Sequence, residues 1–153
     1  MKGSGTPRSP RTSVASGPMF SSRPALASID QRIVGERAVI EVTLSARHEQ
    51  FVGRAEGNGD PAHRSRLVGE ATIRALQAVA PNLQLDLIAV ATSDLGTFKI
   101  ALAQVLERGN ELVGSALVRG GDPVVATARA VLDAVNRMLE RPAIVDLTAL
   151  SQD

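Results

Sequence analysis

The chain contains one sequence pattern twice. The segment Phe51–Gly57 leads into a Gly59-Asp60-Pro61 turn, and Leu112–Val118, 61 residues later, leads into Gly121-Asp122-Pro123. An alternating, strand-like run precedes each copy and a helical stretch follows it. Solenoids need three or more repeats, so two copies of a unit this long indicate a duplicated supersecondary unit that shares one core.

The first unit is predicted to contain three strands and a helix. A first strand is expected over Ala25–Val34, and alternation from Ala38 to Leu44 predicts a second strand with one buried face. A polar hairpin at Arg47–Glu49 leads into the third strand. Asp60 is expected to cap the helix and Pro81 to end it. The core is expected to include Phe51, Gly53, Ala55, Leu67, Val68, Ala71, Ala75, Leu76 and Val79.

The second unit repeats this order. Strands are predicted over Leu83–Ala91, Phe98–Leu106 and Glu111–Val118, and the Gly120–Pro123 turn precedes a helix that Pro142 ends. Residues that this helix is expected to bury are Val124, Ala128, Val131, Leu132, Val135, Met138 and Leu139. The prediction is an α+β fold of duplicated βββα units, with an antiparallel-rich sheet layer and two helices packed on one face.

The domain is predicted to span residues 25–142, with unit one at 25–81 and unit two at 82–142. Residues 1–24 are rich in Ser, Pro, Gly and Arg, which predicts a disordered basic tail. The alternatives are an organelle transit peptide, a docking arm that orders on a partner, and phosphorylation at Ser-Pro or Thr-Pro. The tail 143–153 carries apolar residues that need a surface, so both tails are candidate segments for a protein partner. These apolar residues are Ile144, Val145, Leu147 and Leu150.

Composition argues against several classes of function. Aromatic residues make up 2% of the chain and the net charge is +1, so nucleic-acid binding is not expected. The absence of cysteine excludes disulfides and thiolate chemistry. His48 and His63 lack companions at ligand spacing, so neither a metal nor another cofactor is expected. No apolar run is long enough to cross a bilayer, and we expect a cytoplasmic protein.

No catalytic motif is found in the sequence, whether a nucleophile elbow, a P-loop or a dinucleotide fingerprint. Glu41 and Glu56 are expected on a solvent-exposed face, where ion pairs with Arg54 are their simplest use. The chain is therefore not expected to be an enzyme.

The two units differ on the sheet face that points away from the helices. Unit one carries Glu41, Thr43, Arg54 and Glu56 there. The equivalent residues of unit two are Leu102, Gln104, Ser115 and Leu117, with Ile100 and Val113 nearby. An antiparallel sheet loses its polar alternation when both faces are covered. We therefore predict a homo-oligomer, a dimer or larger. Its expected interface residues are Ile100, Leu102, Val113 and Leu117.

Each helix start is a candidate ligand site, because unpaired N–H groups there attract anions. The candidate residues are Gly57, Gly59, Asp60, Arg119, Gly120, Gly121 and Asp122. Helix capping by the two Asp side chains is the simpler alternative, since a carboxylate in that place repels an anion. The run His63–Arg66 is either a phosphate-binding segment or a solvated first turn.

The closing stretch Gly121–Arg137, a Gly/Asp turn before an Ala-rich helix ending in Asn136-Arg137, resembles the end of the regulatory domain of 2-isopropylmalate synthase. The duplicated βββα plan and the paired Val-Gly-x-Ala strands resemble that domain across residues 25–140. The resemblance implies a domain that dimerises, binds leucine between subunits near the helix starts, and inhibits an attached catalytic barrel. We expect a stand-alone relative of this domain, without the barrel.

Two departures from that family concern the ligand. The first helix opens with bulky basic residues at His63–Arg66, where the family has small ones. Measured near the helix ends, the two units lie 59 residues apart (Ala75 to Ala134) and not 61 or 62, so unit one holds an insertion of about three residues around His63–Ser65. We expect a non-catalytic self-associating structural, assembly or accessory domain that docks on itself or a larger complex. The alternative is a regulatory domain that senses an amino acid or a small carboxylate between subunits.

Overall fold

The computed structural model describes residues 23–139 and confirms the predicted α+β fold of duplicated βββα units. The elements are β1 (Ala25–Val34), β2 (Arg37–Ala46), β3 (Glu49–Asn58), α1 (Pro61–Val79), β4 (Leu85–Leu95), β5 (Phe98–Glu107), β6 (Asn110–Val118) and α2 (Val124–Leu139). The strands form two separate antiparallel sheets, β1-β2-β3 and β4-β5-β6. Residues 1–22 and the features predicted from residue 140 onward, including the break at Pro142, lie outside the described residues.

The two units share one core. Each helix packs on the second and third strands of its own unit, and α1 also contacts α2. Each helix further contacts the first strand of the other unit, α1 with β4 and α2 with β1. The buried aliphatic residues of both units accordingly form a single cluster.

Strand alternation sets the sheet faces as predicted. In β2, Ala38, Ile40, Val42 and Leu44 are fully buried beneath the helix. Of the strand limits, those of β4 differ most from the prediction. β4 begins at Leu85, two residues later than expected, and continues through Leu95, four residues beyond the expected end at Ala91. The physical reason is that Leu95 still pairs with Phe98, across a two-residue connection.

The repeated Val-Gly-x-Ala strands exist because the helices lie very close to the sheets. A Cβ atom on Gly53 would lie 2.1 Å from the carbonyl oxygen of Ala71 and 2.3 Å from the amide nitrogen of Ala75. A Cβ atom on Gly114 would meet Ala130 and Ala134 at the same two distances. Only glycine permits this backbone approach, so both units are built on the same helix–strand contact.

The three-residue insertion predicted in unit one appears at the start of α1. Ala71 lies ten residues after Pro61, whereas its counterpart Ala130 lies seven residues after the equivalent Pro123. α1 begins at Pro61 itself, but α2 begins one residue after its proline, at Val124. The first helix therefore begins about one turn earlier than the second.

The predicted helix cores are largely confirmed. All six expected residues of α1 are buried, as are five of the seven expected in α2. Met138 is half-buried. The prediction for Leu139 is wrong, because its side chain is 41% exposed. Val135 is the last core residue of α2, and Leu139 lies one turn beyond it.

Candidate functional site

The outer face of the first sheet, which points away from the helices, is covered by ion pairs. The register places Glu41 opposite Arg54 and Val39 opposite Glu56. Arg54 Nη2 lies 2.8 Å from Glu56 Oε2, and Arg54 also approaches Glu41 at 3.9 Å. The hydrogen bond from Arg54, followed by its charge, holds the pKa of Glu56 below its ordinary value. This face therefore carries a network of exposed charges, with the exposed apolar side chains of Val34 and Val52 beside it.

The outer face of the second sheet is apolar. The register places Ile100 opposite Leu117, Leu102 opposite Ser115 and Gln104 opposite Val113. Leu95 and Phe98 extend the same face at the hairpin, with exposed fractions of 63% and 59%. We call this surface the apolar face. Its residues are Leu95, Phe98, Ile100, Leu102, Val113 and Leu117.

The structure brings the four predicted interface residues together on this one face. Sequence reasoning missed Leu95 and Phe98. The available signal was their symmetric placement on either side of Gly96-Thr97, which predicts a cross-strand pair when the connection is two residues long.

A second candidate site lies where the two helix starts meet. A cleft of about 280 Å³ is lined on one side by Pro61, Arg64 and Ser65, and on the other by Gly121–Val124. Of the predicted ligand residues, Gly121 and Asp122 line this cleft. The others, which lie outside the lining, are Gly57, Gly59, Asp60, Arg119 and Gly120.

Both Asp side chains accept a hydrogen bond from a backbone N–H at the helix start, Asp60 as the N-cap of α1 and Asp122 two residues before the first residue of α2. Asp60 Oδ1 accepts a hydrogen bond from the His63 backbone N–H at 3.0 Å and lies 2.8 Å from His63 Nδ1. The backbone hydrogen bond, followed by the side-chain contact, lowers the pKa of Asp60. Asp122 Oδ1 accepts from the Val124 N–H at 3.0 Å. The capping alternative therefore describes the geometry of both turns.

Two of the predicted ligand glycines have packing roles. The Gly59 N–H donates to the Glu36 carbonyl at 2.8 Å, and a Cβ atom on Gly59 would lie 3.3 Å from that oxygen. A Cβ atom on Gly57 would lie 3.1 Å from the Leu67 side chain. Close approach to neighbouring groups explains both glycines without a ligand.

The basic run at the start of α1 divides between two roles. Arg66 donates to the carbonyls of Leu87 and Ile88 at 2.8 and 2.9 Å, so its guanidinium is engaged with β4. Arg64 lines the cleft instead, and its buried Nε has no hydrogen-bond partner among residues 23–139. A cation between two helix starts suits a small carboxylate or phosphate.

Metal chemistry finds no support in the described part of the chain. Residues 23–139 contain no cluster of three His, Cys, Asp or Glu side chains that could hold an ion. In the same range, no helix has both the length and the apolar character needed to span a bilayer.

No family model matches this chain, and no curated protein is significantly similar to it. The resemblance to the regulatory domain of 2-isopropylmalate synthase therefore depends on motif and layout, and it stays a prediction.

Proposed function

We propose that the protein is a non-catalytic self-associating domain whose apolar face binds the same face of a second copy. The observation that carries this proposal is the difference between the two outer faces. Equivalent strands of one duplicated fold carry an ion-pair network in unit one and exposed Leu, Val and Phe side chains in unit two. Large contiguous apolar patches on soluble proteins commonly mark interaction sites.

The size of the apolar face suits a small isologous interface. Three strands spaced by about 4.8 Å and about ten residues long give a plane of roughly 450 Å². Two such planes bury on the order of 1,000 Å² in total, which lies at the lower end of specific interfaces. We therefore expect a dimer that dissociates on dilution.

The arrangement of charge supports pairing with a second copy. Charged side chains on this side of the sheet lie toward its end, where Asp86 and Glu111 flank Leu106. The centre around Leu102 and Leu117 is uncharged, so two copies can stack face to face without burying an ion. Aligned sheet packing at about −30° places the side chains of both faces into one core about 10 Å thick.

Substitution of the apolar face tests the proposal. Leu102→Lys with Leu117→Lys places buried charges in the interface, and we expect a monomer by light scattering after size exclusion. Thr43→Lys, at the position equivalent to Gln104 on the outer face of the first sheet, is the matched control and leaves the mass unchanged. An oligomer retained by the Leu102/Leu117 variant would contradict the proposal.

The second candidate function is a regulatory domain that senses an amino acid or a small carboxylate. The cleft between the helix starts favours it, because Arg64 lines the cleft and its buried Nε has no hydrogen-bond partner among residues 23–139. The cleft lies within one chain, whereas the family resemblance implies a ligand between subunits.

Thermal-shift screening with amino acids and small carboxylates tests this second candidate. A ligand at 100 times its dissociation constant adds about 2.7 kcal/mol of stability. Arg64→Ala should abolish the shift, whereas Arg74→Ala, a substitution of the same charge outside the cleft, should leave it unchanged. Absence of any stabilising compound would remove this candidate.

A further inference from the structure

β1 presents an exposed strand edge along the first sheet. Among the described residues it pairs with β2 only, and its C-terminal half, residues 30–34, is exposed. Ile33 and Val34 are 50% and 68% exposed although both are large and apolar. A row of unpaired backbone N–H and C=O groups on such a strand is a template for pairing with another strand.

β4, the equivalent edge strand of unit two, differs from β1 near its start, although its residues 91–95 are exposed like residues 30–34 of β1. Both strands carry an irregularity near their start, between Leu26 and Ser28 in β1 and between Leu87 and Ala89 in β4. Arg66 of α1 covers this point of β4 with two hydrogen bonds to backbone carbonyls. The equivalent residue of α2, 59 positions later, is Val125, which has no donor to offer β1.

The middle of β1 is complementary to itself when two copies run antiparallel. It reads Asp30-Gln31-Arg32, so placing Gln31 opposite Gln31 of the partner subunit sets each Asp30 opposite an Arg32. Opposite charges in directly facing positions stabilise strand pairs. The equivalent residues of β4 are Ala91-Thr92-Ser93, which carry no charge.

Within residues 23–139, these two charges are uncompensated. Asp30 faces Glu41 across the β1–β2 ladder, a like-charged pair, and Arg32 faces Val39. Neither Asp30 nor Arg32 has an ion-pair partner within 4 Å among residues 23–139. In the same register, Ile33 faces Ile29 of the partner subunit, which covers an apolar side chain that is otherwise exposed.

We propose that β1 pairs antiparallel with β1 of a second copy, centred on Gln31, and joins two sheets into one of six strands. This contact does not depend on the apolar face, because the two surfaces lie on different sheets. Two different isologous contacts on one chain produce an assembly larger than a dimer. Together with the contact through the apolar face, the β1 contact would give a tetramer or a longer array. The β1 contact itself does not rest on the proposed function.

Cysteine cross-linking of the full chain tests the register, since the natural sequence has no cysteine. Facing Cα atoms in antiparallel strands lie about 4.5–5.5 Å apart, within disulfide reach. Gln31→Cys should form a covalent dimer under mild oxidation at least about ten-fold faster than Thr92→Cys, its counterpart in β4. Ser28→Cys, whose two copies would lie about 20 Å apart, should match the slow control. Equal rates for Gln31→Cys and Thr92→Cys overturn the proposal.

A charge exchange in the Gln31→Cys background tests the pairing itself. Asp30→Arg alone, or Arg32→Asp alone, sets like charges opposite each other twice and should slow cross-linking to the control rate. The two substitutions together restore opposite charges and should restore the fast rate. Failure of the double variant to recover, while its circular dichroism spectrum and melting temperature match those of the parent, overturns the charge pairing.

Two further variants in that background separate this contact from its alternatives. Leu117→Lys should leave cross-linking unchanged, because it affects only the apolar face; loss of cross-linking would mean that the β1 contact is not independent. The rival occupant is the chain's own segment Val145–Leu150, whose sequence is similar to Leu85–Val90 at the start of β4. If Gln31→Cys cross-links slowly and becomes fast only when Leu147→Asp is added, that segment covers the β1 edge in the parent and the proposal fails.

Discussion

The two sheets of this molecule share one topology. The faces that pack on the helices are alike in the two sheets, whereas the outer faces differ. On the helix side, Gly53 and Gly114 make the same backbone contact. The distances from an added Cβ atom to the nearest helix backbone atoms differ by at most 0.1 Å between the two glycines. On the outer side, Glu56 of the first sheet corresponds to Leu117 of the second, 61 residues later. Close packing tolerates little change in a core, whereas an exposed position can exchange a charge for an apolar group without affecting the fold. The duplication therefore separates the residues that make the fold from those that give each copy its surface.

The largest effect is expected at the shared helix–strand contact. Gly114→Ala or Gly53→Ala places a methyl group where helix backbone already lies, so the helix must move away from the sheet. We expect each substitution to lower the free energy of unfolding by about 3 kcal/mol or more, measured by urea denaturation. Gly121→Ala, where the added Cβ meets nothing within 4 Å, is the control and should be nearly neutral. A cost below about 1 kcal/mol at either glycine would mean that this contact is not tight.

The next effect concerns the outer faces and is read in molecular mass. Leu117→Glu should convert the assembly formed through the apolar face to its dissociated form, with monomer stability changed by only about 0.5 kcal/mol. The reciprocal Glu56→Leu should create no new contact, because Arg37, Glu41 and Arg54 still charge that face. Light scattering at several concentrations measures both. A larger assembly formed by Glu56→Leu would show that one added apolar residue is enough to create a contact between copies. The two outer faces would then differ little in their capacity to self-associate.

The elements of the fold were predictable because their signals are local. Alternation in β2 and the Asp60-Pro61 start of α1 are set by neighbouring residues, and the structure has both as expected. Because the unit is duplicated, each predicted element was supported by a second copy of the same sequence pattern. The wrong prediction at Leu139 shows the limit of this reasoning. Helical periodicity places Leu139 on the same helix face as Val135, but it does not indicate where along the helix the core ends.

The sites were less predictable because they depend on contacts distant in sequence. Arg64 and Arg66 belong to one basic run, yet residues two apart on a helix point about 200° away from each other. Arg64 consequently lines the cleft while Arg66 reaches β4. The meeting of the two helix starts follows from the packing of α1 on α2, and nothing in either turn indicates it.

A smaller effect is expected at the two helix caps. Asp122→Ala removes the acceptor for the Val124 N–H and should cost about 1 kcal/mol of unfolding free energy. Asp60→Ala removes the acceptor for the His63 N–H and should lower the melting temperature in the same direction. Asn at either position keeps an acceptor and should recover most of the loss. If Asn recovers none of the loss, the carboxylates act by charge alone and not as caps.

The smallest effect is a difference in acid sensitivity between the two units. The pKa of Asp60 is lowered from its ordinary value of 3.8 and that of Glu56 from 4.5, in each case by hydrogen bonds that the carboxylate accepts in the folded chain. A lowered pKa in the folded state stabilises the protein above the unfolded-state value, and this stability is lost as the pH falls through the folded-state value. Leu117, the counterpart of Glu56, does not titrate, so this loss below pH 4.5 belongs to unit one. Urea midpoints measured from neutral pH downward should therefore converge for the parent and Asp60→Asn below pH 3.8, and for the parent and Glu56→Gln below pH 4.5. A constant difference at every pH would show that these carboxylates do not stabilise the fold through their charge.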